Sequence, residues 1–106
     1  MKGIINQTVA RTEPGEFAVS LRLTDDNRKV LARFDGTYFG SLADATYGSL
    51  NEILEAVEQN GITEVQIKSD VPFAAKELKE AQAGKPVGAK AYQTAGLFKV
   101  IGVKIA

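Results

Sequence analysis

The sequence predicts an α/β domain in which helices pack on a mixed sheet, with the element order βββαβαβ. Three extended segments come first, residues 45–60 then repeat apolar side chains at helical spacing, and two further strand patterns flank a short helix. A chain of 106 residues is long enough for one domain with a single core, and neither a repeat nor a linker divides it. We therefore expect one domain over residues 1–106.

The first three segments predict an antiparallel meander. They cover residues 3–9, 17–23 and 30–39, and the second alternates apolar and polar side chains as a half-buried strand does. Pro14-Gly15 provides the first turn, and Asp25-Asp26-Asn27 provides the second. The third strand has a possible bend at Asp35-Gly36.

Residues 45–60 predict one amphipathic helix. Its apolar side chains recur at Leu50, Ile53, Leu54 and Val57. Asp44 is the expected N-cap, and Gly61 suits the left-handed position after the last turn, where Ile62 can pack back on the helix.

The second half of the chain predicts a strand, a helix and a final strand. Residues 64–69 should lie beside strand one, with Val65 and Ile67 inward. Ser69 or Asp70 can cap the following helix, which has Pro72 in its first turn. Residues 97–105 are apolar and rich in β-branched side chains, which is typical of a buried strand.

The composition excludes several kinds of site. The chain has no cysteine and no histidine, so it has no disulfide, no thiol chemistry, no Ser-His-Asp triad and no histidine zinc site. An apolar fraction of 44% and a charged fraction of 25% are typical of soluble globular domains. Residues 1–16 are too polar for a secretory signal, and no apolar run reaches the roughly 20 residues of a membrane span. We therefore expect a cytoplasmic protein.

The order of these motifs over residues 2–82 resembles the ribonuclease H family. The helix falls in step with the first long helix of that family at Ala45, Leu50, Leu54, Val57 and Gly61. Ser69-Asp70 ends its strand as a Ser/Thr-Asp pair does in the family, and the proline-glycine hairpin at residues 13–19 is also similar. The resemblance implies a ribonuclease H-like fold, in a truncated member with a degenerate active site.

The resemblance also implies where catalytic carboxylates would lie. The family holds two magnesium ions with four carboxylates, and these ions activate water and stabilise the leaving oxygen. The first three positions match Asn6, Thr46 and Asp70, and the fourth, on a later helix, has no counterpart here. One carboxylate of four remains, so we expect no catalysis and no cofactor, with Asp70 at most a weak magnesium ligand.

Three aspartates have competing interpretations. Asp70 is either a metal ligand or a helix N-cap. Asp44 could replace the glutamate missing at position 46, but two residues rotate a helical side chain by about 200°, which favours capping. Asp35-Gly36-Thr37 resembles the strand-one motif of the family but lies too close to the helix for two intervening strands, so we interpret it as a turn or bend.

Net charge is zero overall but unevenly distributed. Residues 1–65 hold six basic and ten acidic residues, whereas residues 66–106 hold seven lysines and three acidic residues. Nucleic-acid contacts are predicted at Lys76, Lys79, Lys85 and Lys90, which can meet backbone phosphates. The alternative is a solvated helix face with Glu77 and Glu80 interspersed.

Four aromatic residues can stack on bases or pack in the core. They are Tyr38, Phe39, Tyr47 and Tyr92. Tyr38 and Tyr47 flank the loop before the first helix, and Tyr47 is the candidate that we place in a nucleic-acid site.

These features lead to three functional hypotheses. The first is a non-catalytic binding module for nucleic acid or a nucleoprotein partner. The second is a structural or regulatory homodimer that covers the apolar final strand and has no nucleic-acid role. The third is a residual magnesium-dependent nuclease that uses Asp70 with Asp35 or Asp44.

Overall fold

The computed structural model describes residues 2–86, 88 and 100–105, and these form a sheet with helices packed on one face. The elements are β1 (Lys2–Glu13), β2 (Glu16–Asp25), β3 (Val30–Phe39), α1 (Leu42–Glu52), α2 (Leu54–Gln59), β4 (Glu64–Ser69), α3 (Pro72–Gln82) and β5 (Val100–Ile105). Within this described part the strand order is β3-β2-β1-β4-β5. The predicted α/β class is confirmed. None of the described helices is long and apolar enough to cross a membrane.

The predicted meander and its parallel neighbour are both confirmed. β1 pairs with β2, and β2 with β3, in antiparallel register, while β4 runs parallel to β1. Alternation along the strands buries Phe17, Val19, Leu21, Leu23, Val65 and Ile67 under the helices. The intervening residues therefore lie on the opposite face of the sheet, which we call the open face.

The meander turns form where the sequence predicts them. Gly15 has a φ of 74°, which glycine adopts without a steric penalty. In the second turn, the Asp25 Oδ1 atom accepts hydrogen bonds from the backbone N–H groups of Asn27 and Lys29, both at 2.9 Å. This local bonding is the usual reason that aspartate favours turns.

The single helix predicted over residues 45–60 is two helices, and this is a correction. Ile53 separates α1 from α2, with a ψ of −7° where a regular helix has about −42°. Hydrogen bonds still run from Ile53 N–H to the Ser49 carbonyl and from Val57 N–H to the Ile53 carbonyl. Helical hydrogen bonding therefore continues on both sides of Ile53, whose side chain is buried in the core.

The first helix begins at a different cap from the one predicted. Ser41 is the N-cap, and its Oγ atom accepts a hydrogen bond from the Asp44 N–H at 3.1 Å. Asp44 Oδ2 in turn accepts from the Ser41 N–H at 3.2 Å. This reciprocal arrangement is a capping box, so Asp44 completes the cap from the third helical position.

Of the other predicted helix and strand boundaries, some are confirmed and one is wrong. Gly61 has a φ of 67° and ends α2 as predicted, and the Ile62 N–H donates to the Val57 carbonyl. The cap of α3 is Val71 rather than Ser69 or Asp70. β5 confirms the final strand at Val100–Ile105 and runs parallel to β4, whereas the predicted positions 97–99 lie outside the described residues.

Candidate functional site

The central part of β1 and the carboxyl end of β4 lie side by side, and their inward side chains lie on the face of the sheet that the helices cover. The two strands pair in parallel with Gln7 opposite Ser69, and both side chains are buried. Two of the predicted catalytic positions, Thr46 and Asp70, also belong to this region. The contacts here therefore decide what chemistry the domain can perform.

A buried network of neutral hydrogen bonds occupies this region. Gln7 is 1% exposed, and its Nε2 atom donates to the Thr46 carbonyl and to Ser49 Oγ, both at 2.9 Å. Ser69 Oγ donates to Gln7 Oε1 at 2.7 Å and accepts from the Val71 N–H at 3.2 Å. Both ends of the Gln7 amide are thereby satisfied, and the network joins β1, α1 and β4 without a charged group.

Thr46 takes part through its backbone rather than its side chain. Its hydroxyl donates to the Leu42 carbonyl at 2.7 Å, one turn back along α1. Its carbonyl accepts from Gln7 and from Ser49 Oγ, at 2.9 and 3.1 Å. The side chain at position 46 is therefore engaged within its own helix.

Asn6 lies on the other face of the sheet, which corrects the predicted grouping of Asn6 with Thr46 and Asp70. It is half-buried on the open face, where its strand partners are Arg22 and Lys68. Gln7 takes the inward place instead, because Ile5 and Gln7 share the buried face. The sequence contains no clear signal for this, because the consecutive Ile4 and Ile5 let the alternation of the segment fit either face.

Asp70 extends the contact between β1 and β4 by one residue. Its N–H donates to the Gln7 carbonyl at 3.2 Å, and its Oδ1 atom accepts from the Val9 N–H at 3.0 Å. The carboxylate is exposed and is not the cap of α3. It therefore helps to hold the end of β4 against β1.

Neither of the other two aspartates joins Asp70. Asp44 belongs to the capping box of α1. Asp35 is exposed on the open face of β3, where it pairs with Ser20, and two strands separate β3 from β4. β3 keeps regular pairing at Asp35-Gly36-Thr37, so this segment is part of a strand rather than a turn, and the register shift lies between Leu23 and Thr24. Among the described residues, no three acidic, histidine or cysteine side chains are grouped so that they could hold a metal.

Tyr47 is a core residue, and this corrects its assignment as a stacking candidate. It is buried, and its ring meets the Phe73 ring edge-on, with centroids 6.2 Å apart. The Glu77 carboxylate is near, but no described group forms a hydrogen bond with the Tyr47 hydroxyl. Burial, with a smaller effect from Glu77, raises the pKa of Tyr47 well above its usual value of 10.0.

Replacing Tyr47 with phenylalanine (Y47F) is expected to leave the free energy of unfolding unchanged at pH 7 or to raise it by up to about 1 kcal/mol, because a buried hydroxyl without a partner is removed. Above about pH 10 the unfolded tyrosine ionises while the folded one stays protonated, so the wild type loses stability from this residue and Y47F does not. Urea denaturation at neutral and alkaline pH measures both effects. A clear loss of stability in Y47F at pH 7 would instead indicate a hydrogen bond to Glu77.

Three of the four candidate lysines are exposed in the described part of the chain. Lys76 and Lys79 lie on α3, and Lys85 follows it. Glu77 and Glu80 are half-buried between them. Lys90, like Tyr92, lies outside the described residues. The described lysines are therefore accessible to a partner, as both the phosphate-contact prediction and its solvated-face alternative require.

No protein-family model matches the sequence, and no curated protein is similar to it at the sequence level. Solved structures do match. The N-terminal RNase H domain of a Mycobacterium tuberculosis protein, solved as a fusion with maltose-binding protein, has a TM-score of 0.77 at 18% identity, covering 100% of this chain and 87% of that chain. RNase H1 from the halophilic archaeon Halobacterium salinarum NRC-1 has a TM-score of 0.72 at 17% identity, covering 100% and 86%.

A third neighbour is an RNase H1 isolated from compost by a metagenomic approach, solved in complex with an RNA/DNA hybrid. Its TM-score is 0.71 at 18% identity, covering 98% of this chain and 83% of that chain. These matches span the strands and helices described above. The chain therefore has the ribonuclease H-like fold.

Proposed function

We propose that this chain is a non-catalytic ribonuclease H-like domain that binds nucleic acid without cleaving it. The observation that carries the proposal is the neutral hydrogen-bond network that joins Gln7 of β1 and Ser69 of β4 to Thr46 and Ser49 of α1. A cytoplasmic setting belongs to the same proposal, which requires no cofactor and no magnesium.

The network argues against hydrolysis because it carries no negative charge and because its polar side chains already form hydrogen bonds with one another or with the backbone. Two-metal hydrolysis needs several carboxylates that offset the repulsion between two divalent cations. Gln7 offers an amide whose oxygen already accepts from Ser69, and Thr46 offers a hydroxyl that donates within its own helix. Asp70 supplies one negative charge, and one of its oxygens accepts from the Val9 N–H.

The proposal that the ligand is nucleic acid rests on accessible positive charge and on analogy. Lys76, Lys79 and Lys85 are exposed on and after α3, where lysines contact phosphates as mobile point charges. Lys90, which lies outside the described residues, stays a candidate from the sequence, whereas Tyr47 is buried and is no longer one. One solved neighbour was crystallised with an RNA/DNA hybrid, and for this chain the same ligand class is a proposal by fold analogy.

The test compares binding and cleavage on the same labelled RNA/DNA hybrid. We expect fluorescence anisotropy to show binding that weakens as the salt concentration is raised. We expect denaturing gels to show no cleavage of the hybrid with magnesium or manganese. Asp70→Asn should change neither result, and Lys76→Glu with Lys79→Glu should weaken binding. Cleavage by the wild type that Asp70→Asn abolishes would overturn the non-catalytic assignment and favour the residual nuclease. Absence of binding at low salt would overturn the nucleic-acid role.

The homodimer stays a prediction. The apolar sequence of the final strand predicts it, and in the described part of the sheet the long edge strand β3 also exposes Val30 and Phe39.

A further inference from the structure

The open face of the sheet carries a row of residues that we call the basic row. Arg33, Arg22, Asn6 and Lys68 are consecutive partners across β3, β2, β1 and β4. Arg22 and Arg33 are exposed, and in the described part of the chain the helices pack on the other face. With about 4.8 Å between neighbouring strands, the row is about 14 Å long.

The positive charge of the basic row is not neutralised within the described residues. None of its three cations forms an ion pair there, and Arg28 lines the same shallow depression as Asn6, Arg22 and Lys68. Like charges directly opposite each other on neighbouring strands are destabilising, and Arg22 pairs directly with Arg33. The stability of the sheet therefore does not explain the row, whereas a bound polyanion would.

An exposed aromatic ring shares this face. Phe39 is 75% exposed and lies six residues after Arg33 on β3, which is about 20 Å along the strand. Between the two lies a shallow depression with small and hydroxyl-bearing side chains, among them Thr8, Ala18 and Ser20. At about 3.4 Å per stacked nucleotide, this length suits a strand of about six nucleotides.

Acidic groups on this face lie on the Phe39 side of the basic row: Asp35 on β3, and Glu16 on β2, which pairs directly with Phe39. Asp35 lies between Arg33 and Phe39 on the same face and is exposed. Its carboxylate repels phosphates, so we expect the phosphate contacts at the basic row, and at Phe39 only the base of a nucleotide about 20 Å further along the ligand. A base can stack on an isolated ring of this kind only when it is not paired in a duplex.

We propose that the open face binds single-stranded nucleic acid, with Arg22, Arg33 and Lys68 contacting phosphates and Phe39 stacking on a base. This inference rests on the proposed function, since both require nucleic-acid binding. It deepens that function by naming single-stranded nucleic acid as the ligand and a binding surface separate from the lysines of α3.

The test measures anisotropy of short labelled single strands with the full chain over a range of salt. Arg22→Glu with Arg33→Glu should weaken binding at least about tenfold and reduce the slope of log affinity against log salt by about 1.4, since each phosphate contact contributes about 0.7. Phe39→Ala should weaken binding about tenfold, and Phe39→Leu, which keeps an apolar side chain without a ring, should do nearly the same. Asp35→Asn should strengthen binding.

The matched control is a single charge reversal on each face of the sheet. Arg11 is exposed on β1 and lies on the same face of the sheet as Val9, whereas Arg22 lies on the other, open face. Arg22→Glu should weaken binding and Arg11→Glu should not, although both change net charge equally. Equal losses would mean that only total charge matters and would overturn the inference. Circular dichroism checks folding, and the neutral pair Arg22→Gln with Arg33→Gln tests the same contacts if the reversed pair does not fold.

The failures of the two proposals are distinguishable. If the hybrid binds and the open-face variants leave single-strand affinity unchanged, the inference fails and the proposed function stands. If no nucleic acid binds, both fail. A second copy of the chain could occupy the open face instead, and light scattering tests this. If Phe39→Ala dissociates a dimer and leaves nucleic-acid affinity unchanged, the open face is a dimer interface and the inference is overturned.

Discussion

Replacing Gln7 with glutamate (Q7E) is expected to lower the free energy of unfolding by about 3 kcal/mol at pH 7. The change is nearly isosteric, but it places an oxygen where Nε2 now donates to the Thr46 carbonyl and to Ser49 Oγ. A carboxylate there would be buried, would face a carbonyl oxygen and would have no positive partner among the described residues. Each of these effects disfavours the ionised form in the fold.

The loss should depend on pH in a defined direction. Burial raises the pKa of a carboxyl in the fold above the value of about 4.3 in the unfolded chain. The protonated acid can donate one hydrogen bond, so the deficit of Q7E relative to the wild type should be small near pH 4 and should grow as pH rises from there. Urea denaturation of both proteins at several pH values measures the difference.

Asn6→Asp is the matched control for Q7E. It makes the same amide-to-carboxylate change one residue earlier, on the open face between Arg22 and Lys68. We expect a change within about 0.5 kcal/mol. A large loss in Asn6→Asp with a small loss in Q7E would mean that the inward and outward faces of β1 are reversed. Stabilisation of Q7E by magnesium would show that position 7 and Asp70 can share a metal, contrary to the proposed function.

Replacing Leu50 with alanine is expected to cost about 3 kcal/mol of unfolding free energy. Leu50 is fully buried on α1, and its removal leaves a cavity between the helix and the sheet. Alanine is a better helix former than leucine, so the loss would come from packing alone. Chemical denaturation measures the loss of unfolding free energy. Leu54 is only half-buried, so Leu54→Ala is the comparison and should cost less. A loss below about 1 kcal/mol would mean that α1 does not pack on the sheet as described.

The two faces of β1 have separate roles in these proposals. Gln7 holds α1 to the sheet through neutral hydrogen bonds, and Asn6 lies beside Arg22 and Lys68 on the open face. In the proposals, the network supports the non-catalytic assignment, and the basic row supports nucleic-acid binding. A variant at one of these positions should therefore leave the property of the other unchanged.

The sequence alone determined the class of the fold and most of its elements. The alternation in β2, the glycine stop after α2 and the turn residues of the meander are local signals, because backbone sterics and hydrogen bonds within a few residues produce them. They suffice for the order of strands and helices. The composition, which lacks histidine and cysteine, excludes every site in this chain that needs either residue.

Only the tertiary structure decided which side chains meet. The segment Gly3 to Val9 has two consecutive isoleucines, so a period of two fits either face, and pairing with β2 and β4 turns Gln7 inward and Asn6 outward. Tyr47 has a helical position that suits either core or surface, and packing against Phe73 buries it.

The basic row is the clearest case of a feature that the sequence could not show. Arg33, Arg22, Asn6 and Lys68 belong to four strands and form a line only when all three strand pairs have their observed registers. Strand register depends on contacts between residues far apart in the chain, whereas sequence patterns report neighbours within one turn or one strand. For this reason the sequence predicted the elements, and the register of the sheet decided which of their residues form a surface.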